Sequence, residues 1–175
     1  TAGQGHLWVP WEGAQAADTP VAFNNNKATP FYTQFVVRTP SVARRLRVNL
    51  ISSGAAATAG VALALYDATC TKLVGGDVTT QIPSGASGMT NFVFATPLTL
   101  FPGVYHLGLA TENLALVLAQ ANAANLIPFL NEVTRARIFT GSLPASGTGA
   151  TLALPGSCGT RTPVTLNPIL VAVLP

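Results

Sequence analysis

The sequence predicts an all-β fold, an antiparallel β-sandwich built as a single domain over residues 1–175. Apolar and polar residues alternate with period two in several segments, which is how a strand with one buried face reads. Clusters of Gly, Pro, Ser and Asn separate those segments, and no amphipathic helix intervenes to carry a parallel crossover. Residues 1–29 are expected to form an extended, interface-forming N-terminal arm.

In chain order, Phe31, Thr33, Phe35 and Val37 share one face, and Tyr32, Gln34, Val36 and Arg38 the other. Thr39-Pro40 ends this strand, because Pro has no N–H for a ladder. A second strand covers Arg44 to Ile51, where Arg45 and Arg47 alternate with Leu46, Val48 and Leu50 and so take the wet face. Beyond the small, flexible Ser52 to Gly60 stretch, Val61, Leu63 and Leu65 alternate with Ala62, Ala64 and Tyr66. Asp67 to Lys72 reads as a polar loop, Leu73 to Ile82 as a short strand around Val78, and Pro83 to Gly88 as a second loop before the strand Asn91 to Ala95.

Phe101-Pro102-Gly103 predicts a chain reversal, with Pro presetting φ at the second turn position and Gly taking the positive φ of a type II turn at the third. The strand leaving it places Tyr105, Leu107 and Leu109 on one face, and Val104, His106, Gly108 and Ala110 on the other. Leu114 to Gln120 alternates like a strand although Ala, Leu and Gln also favour helix; a strand followed by one short helical turn is expected, broken by Pro128. Ala136 to Thr140 is a strand, Gly141 to Gly149 a loop tip, and Ile169 to Leu174 a closing apolar strand. The count of roughly eight to ten strands suits a sandwich or jelly roll.

Charged residues make up 9% of the chain against 49% hydrophobic, where soluble domains average about 25% charged. So neutral an exterior implies subunit contacts or a Ser, Thr and Asn coat, and favours a homo-oligomer or larger assembly. The longest apolar runs stop well short of the roughly 20 residues that span a bilayer, so no membrane insertion is expected. Nine basic and six acidic residues give +3, and in the small cluster Arg44, Arg45 and Arg47 the last two take a solvated or interfacial strand face, so no nucleic acid is expected. A start at Thr1 without a charged and apolar leader reads as a processed product or an excised domain.

Catalysis would need a nucleophile beside a base, paired carboxylates or a metal cluster, and six acidic residues with two histidines offer few combinations. His6 and His106 lack any spacing that would set two ligands on one face. Ser87 has glycines nearby but no full nucleophile elbow, and Asp67, Asp77, Glu112 and Glu132 fall at strand ends or loops. No catalytic residue, metal or cofactor is therefore expected. Trp8, Trp11 and Tyr32, with Tyr66, are candidates for a glycan or subunit contact, since their rings stack on apolar sugar faces. The loops Asn24-Asn25-Asn26 and Ser142 to Thr148 would add neutral hydrogen-bonding groups. Cys70 and Cys158 could form one disulfide, and their spacing matches no zinc or redox motif.

In order, FVVRTPSVARRLRVNL, GVALALYD, FATPLTLFPGVYHLGLA and NPILVAVL resemble the jelly-roll-like domains of tailed-bacteriophage virion proteins, over approximately Gly5 to Leu174. The matching positions are Leu46-Arg47-Val48, Leu63 to Asp67, Leu100 to Leu109 and Pro168 to Val173; that family's pattern there includes a Pro-Gly hairpin before an aromatic strand. His106 stands where the family often has an aromatic residue, Gly108 where Ala is commoner, and Thr69-Cys70 where a Gly-rich turn is usual. The resemblance implies a non-enzymatic virion protein of tail fibre, tail tip or capsid decoration. Its partners would be copies of itself, with a trimer favoured, other virion proteins, and a surface glycan. A carbohydrate-binding module of a secreted enzyme or adhesin is the alternative.

Overall fold

The computed structural model describes residues 16–22, 26–37, 39–52, 59–82, 85–112, 115–121, 138–164 and 171–174. The described strands are β1 (Ala16–Ala22), β2 (Phe31–Val37), β3 (Ser41–Ser52), β4 (Val61–Tyr66), β5 (Lys72–Asp77), β6 (Gly88–Leu100), β7 (Gly103–Thr111), β8 (Val117–Ala121), β9 (Ile138–Gly141), β10 (Arg161–Pro163) and β11 (Val171–Leu174). One sheet contains β1, β8, β3, β11 and β6; the other runs β10-β9-β2-β7-β4-β5. All of these pairings are antiparallel. The fold is thus an all-β antiparallel sandwich. Among the described residues no helix is long and apolar enough to cross a membrane.

One long antiparallel ribbon organises the molecule. β2 pairs with β7 from Phe31↔Leu109 to Val37↔Gly103 in one sheet, and β3 pairs with β6 from Ser41↔Leu100 onward in the other. Both strands of the ribbon change sheets at the same level, between Val37 and Ser41 and between Leu100 and Gly103. Pro40 and Pro102 sit in these crossings, where the absent N–H groups interrupt the ladder. This corrects the expected reversal: β6 and β7 pair with different strands, and Gly103 does not take the positive φ of a type II turn. Pro102-Gly103 makes a corner between sheets, braced by the Tyr105 hydroxyl, which donates to the Phe101 carbonyl at 2.9 Å and lies 3.1 Å from the Phe101 nitrogen.

The main core lies between the sheets. Phe35 and Val37 of β2, Leu63 and Leu65 of β4, and Leu107 and Leu109 of β7 meet Leu46, Val48 and Leu50 of β3, Phe92 of β6 and Leu118 of β8. Each fully buried Leu or Phe side chain here stabilises the fold by about 1.5–3 kcal/mol. The face assignments for β2, β3, β4 and β7 agree with this packing.

A second cluster covers the opposite face of the β7-β4 sheet. Tyr32, Ala62, Ala64, Tyr66 and Ala110 are buried there beneath Ala145, Leu152, Leu154 and Cys158, which belong to the β9–β10 connection 142–160. β4 is therefore buried on both faces, and the VALALY alternation separates two cores instead of a core from solvent.

Three further expectations change. Val78 lies outside any strand: β5 ends at Asp77, whose carboxylate accepts from the Thr79 N–H at 3.1 Å and hydroxyl at 2.6 Å, starting a 3-10 turn at Thr79–Gln81. A second 3-10 turn occurs at Gly149–Thr151, starting where the expected loop Gly141 to Gly149 ends. Within the expected arm, residues 16–22 form β1, paired with β8. The helical turn expected after β8 lies outside the described residues.

Candidate functional site

His106 sits on the covered face, 1% exposed. In β7 it stands between Gln34 of β2 and Tyr66 of β4 in register. Its Nδ1 lies 2.9 Å from the Asp67 carbonyl oxygen, which can only accept, so the neutral ring carries its proton on Nδ1. Phe139 meets the imidazole edge-on with centroids 5.3 Å apart, and the Arg161 guanidinium lies 5.5 Å over the Phe139 ring. Burial is the main cause that pulls the His106 pKa below its ordinary value; the Asp67 carbonyl opposes this and Arg161 reinforces it. A neutral, packed imidazole is a poor candidate for acid-base chemistry.

Tyr32 and Tyr66 flank this position, their rings edge to face at 5.2 Å, with Phe139 stacked on Tyr32 at 5.4 Å. Tyr32 was expected at a glycan or subunit contact, and Tyr66 with it, but both are fully buried. The strand face that carries them is roofed by 142–160, so neither ring is offered to a sugar or a subunit. The Tyr66 hydroxyl donates to the Pro155 carbonyl at 2.8 Å, and burial pushes both phenol pKa values up. The Tyr32 hydroxyl is buried with no hydrogen-bond partner among the described residues.

The roof is tied at both ends. Cys70 and Cys158 are joined by a disulfide with Cα atoms 5.6 Å apart. Beside it the Cys158 N–H donates to the Cys70 carbonyl at 3.2 Å, and the Lys72 N–H to the Gly156 carbonyl at 2.8 Å. At the far end Lys27 Nζ bonds Glu112 Oε1 at 3.0 Å and the Gly147 carbonyl, while the Gly149 N–H donates to Glu112 Oε2 at 2.8 Å.

Of the other candidates, Trp8, Trp11, His6 and Glu132 lie outside the described residues. Asn26, expected in a glycan-facing loop, is buried: it donates to the Leu109 carbonyl at 3.2 Å and accepts from the Thr111 N–H at 2.6 Å. Asp67 accepts from Thr69 and Thr71, Asp77 from Thr79 and Glu112 from Gly149 and Lys27, so each of these carboxylates is used locally. Among the described residues no three His, Cys, Asp or Glu side chains gather to hold a metal ion. Ser87 is solvent-exposed in the loop before β6.

What sequence reading missed is the side of the sandwich between β5 and β6. Among the described strands β5 pairs only with β4 and β6 only with β3, so both sheets end here in open edges. A groove of about 520 Å³ lies between them, lined by Leu63, Val74, Gly76, Phe92, Val93 and Phe94. Val93 is 58% exposed and Leu73 41%. β6 carries no charged residue along its length, which is the one signal that could have marked it, since edge strands are ordinarily guarded by charge.

Set against protein-family models, curated proteins and solved structures, the chain matches none of them. The fold itself defines the class: an all-β antiparallel sandwich with its β7-β4 face roofed by 142–160.

Proposed function

We propose that the chain is a non-enzymatic structural protein that assembles with copies of itself through the open side of its sandwich. The carrying observation is the β5–β6 groove, where the strand edges of β5 and β6 flank the exposed side chain of Val93 in a chain with 9% charged residues. Association there would pair the free edge of β6 and bury Val93. We further infer a virion role, in capsid decoration or a tail or attachment apparatus; its support is the resemblance of the four quoted segments to phage virion domains.

Light scattering over a concentration series tests the assembly reading. A mass above the monomer that falls when Val93→Lys is introduced supports it, and a strict monomer at the highest concentration overturns it. Immunogold labelling of the source material tests the virion reading: gold on particles or tails supports it, and particles that stay unlabelled reject it. A carbohydrate-binding module stands second, because burial of Tyr32 and Tyr66 removes two of the four rings that suggested it.

A further inference from the structure

We propose that residues 142–160 form a lid over the outer face of the β7-β4 sheet, and that the Cys70–Cys158 disulfide is its redox latch. Reduction would free the lid and uncover Tyr32, Tyr66 and Phe139 while the sandwich stays folded. This inference is independent of the assembly reading, which concerns the opposite cluster of strand edges.

The lid is hinged as a unit. Gly141 pairs with Arg161 at the β9–β10 neck, the Ser142 N–H donates to the Thr160 carbonyl at 3.0 Å, and the Thr160 N–H donates to Ser142 Oγ at 2.8 Å. Its two ends thus stay together when the middle moves, as in an Ω-loop. No residue of 142–160 belongs to the core between the sheets; Ala145, Leu152, Leu154 and Cys158 pack only in the outer cluster. Lifting the lid therefore leaves that inter-sheet core and the pairing of both sheets intact.

Closure carries a cost that the latch offsets. The closed lid packs over the outer cluster, in which the Tyr32 hydroxyl is buried with no hydrogen-bond partner among the described residues. Opening returns that hydroxyl to water. Against that stand the buried Ala145, Leu152 and Leu154, the Lys27 and Glu112 contacts, the hydrogen bonds of Tyr66 to Pro155, of Lys72 to Leu154 and Gly156 and of Cys158 to Cys70, and the disulfide, of which only the disulfide can be switched by a change of redox environment.

The chemistry is thiol–disulfide exchange. A dithiol's thiolate attacks one sulfur, the S–S bond breaks, and the second cysteine leaves as a thiolate that takes up a proton. The dithiol's other sulfur then resolves the mixed disulfide, so Cys70 and Cys158 end as thiols and the reductant as a cyclic disulfide. Both cysteines are buried, 2% and 0% exposed, so attack waits for local opening and its rate reports on the lid.

Hydrogen exchange read by mass spectrometry compares the native protein with a Cys70→Ser/Cys158→Ser variant. Exchange in 142–160 should rise by roughly tenfold or more, with β2, β3, β6 and β7 unchanged. A rise across all strands together, or no rise in 142–160, overturns the proposal. Should the variant fail to fold, pulse labelling of the native protein during dithiol reduction gives the same reading: exchange confined to 142–160 supports the latch, and simultaneous loss of protection in both sheets refutes it.

Discussion

Gln81 lies across Val93 as a neighbouring strand would: the Val93 N–H donates to Gln81 Oε1 at 2.7 Å, and Gln81 Nε2 donates to the Val93 carbonyl at 3.3 Å. Val93 is opposite Arg45 in the β3–β6 register, so these groups belong to the outward edge of β6. The 3-10 turn after β5 brings Gln81 there. One carboxamide thus occupies a pair of backbone groups through which a further strand would dock.

Replacing Gln81 with Ala should release that pair. Because the site is open to water, the stability cost should be small, about 0.5–1.5 kcal/mol. Self-association should begin at a lower protein concentration, since the bare edge of β6 is then available. Sedimentation velocity alongside a thermal melt reads both quantities; weaker association would show that Gln81 is part of the interface and not its guard.

Gly108→Ala should destabilise the protein by roughly 1–3 kcal/mol through overpacking. A Cβ at that position would stand 2.8 Å from Tyr66 Cε2 and 3.0 Å from Tyr32 Cε1, two rings locked between the sheet and the lid. Gly76→Ala is the matched control, because a Cβ there meets nothing within 4 Å. Chemical denaturation of the two variants should separate them clearly; equal midpoints would mean the tyrosine pair yields freely.

The alternation in β2, β4 and β7 was readable because a strand's own residues decide which of them share a face. That Ala62, Ala64 and Tyr66 were roofed was not readable, since the roof is a Gly-, Ser- and Pro-rich segment that local chemistry reports as a loop. The disulfide partner of Cys70 lies 88 residues away and comes close only when that segment folds back. Pro102-Gly103 read as a reversal because turn chemistry is local, whereas the ribbon that makes it a corner is set by pairing with β2 and β3. Tyr32 read as a surface ring for the same reason: nothing within β2 records what packs above it.

Lys27→Met should cost about 1 kcal/mol, the scale of a half-exposed ion pair with one further hydrogen bond. The Gly149 N–H and then Lys27 hold the Glu112 pKa below its ordinary 4.5. With the folded value depressed, this stabilisation is present above the unfolded value and disappears as pH falls through the folded one. The melting-temperature gap between native protein and variant should therefore narrow from about pH 5 downward. A gap independent of pH would assign the loss to packing of the lysine stem alone.

His106 gives a proton ledger of the same sign at higher pH. Its folded pKa is pulled below 6.5 by burial, so on acidification the unfolded chain takes up its proton first. Stability should be full above about pH 7, fall as pH drops through 6.5, and level off below the folded value, with a slope of at most about 1.4 kcal/mol per pH unit. His106→Gln carries no titrating proton, so its melting temperature should decline less between pH 7.5 and 5. An NMR titration of the imidazole resonance that vanishes in His106→Gln should show a midpoint below 6.5, and Arg161→Gln should move that midpoint upward by removing a nearby positive charge. Equal acid losses in the native protein and His106→Gln would show that His106 does not carry the pH dependence.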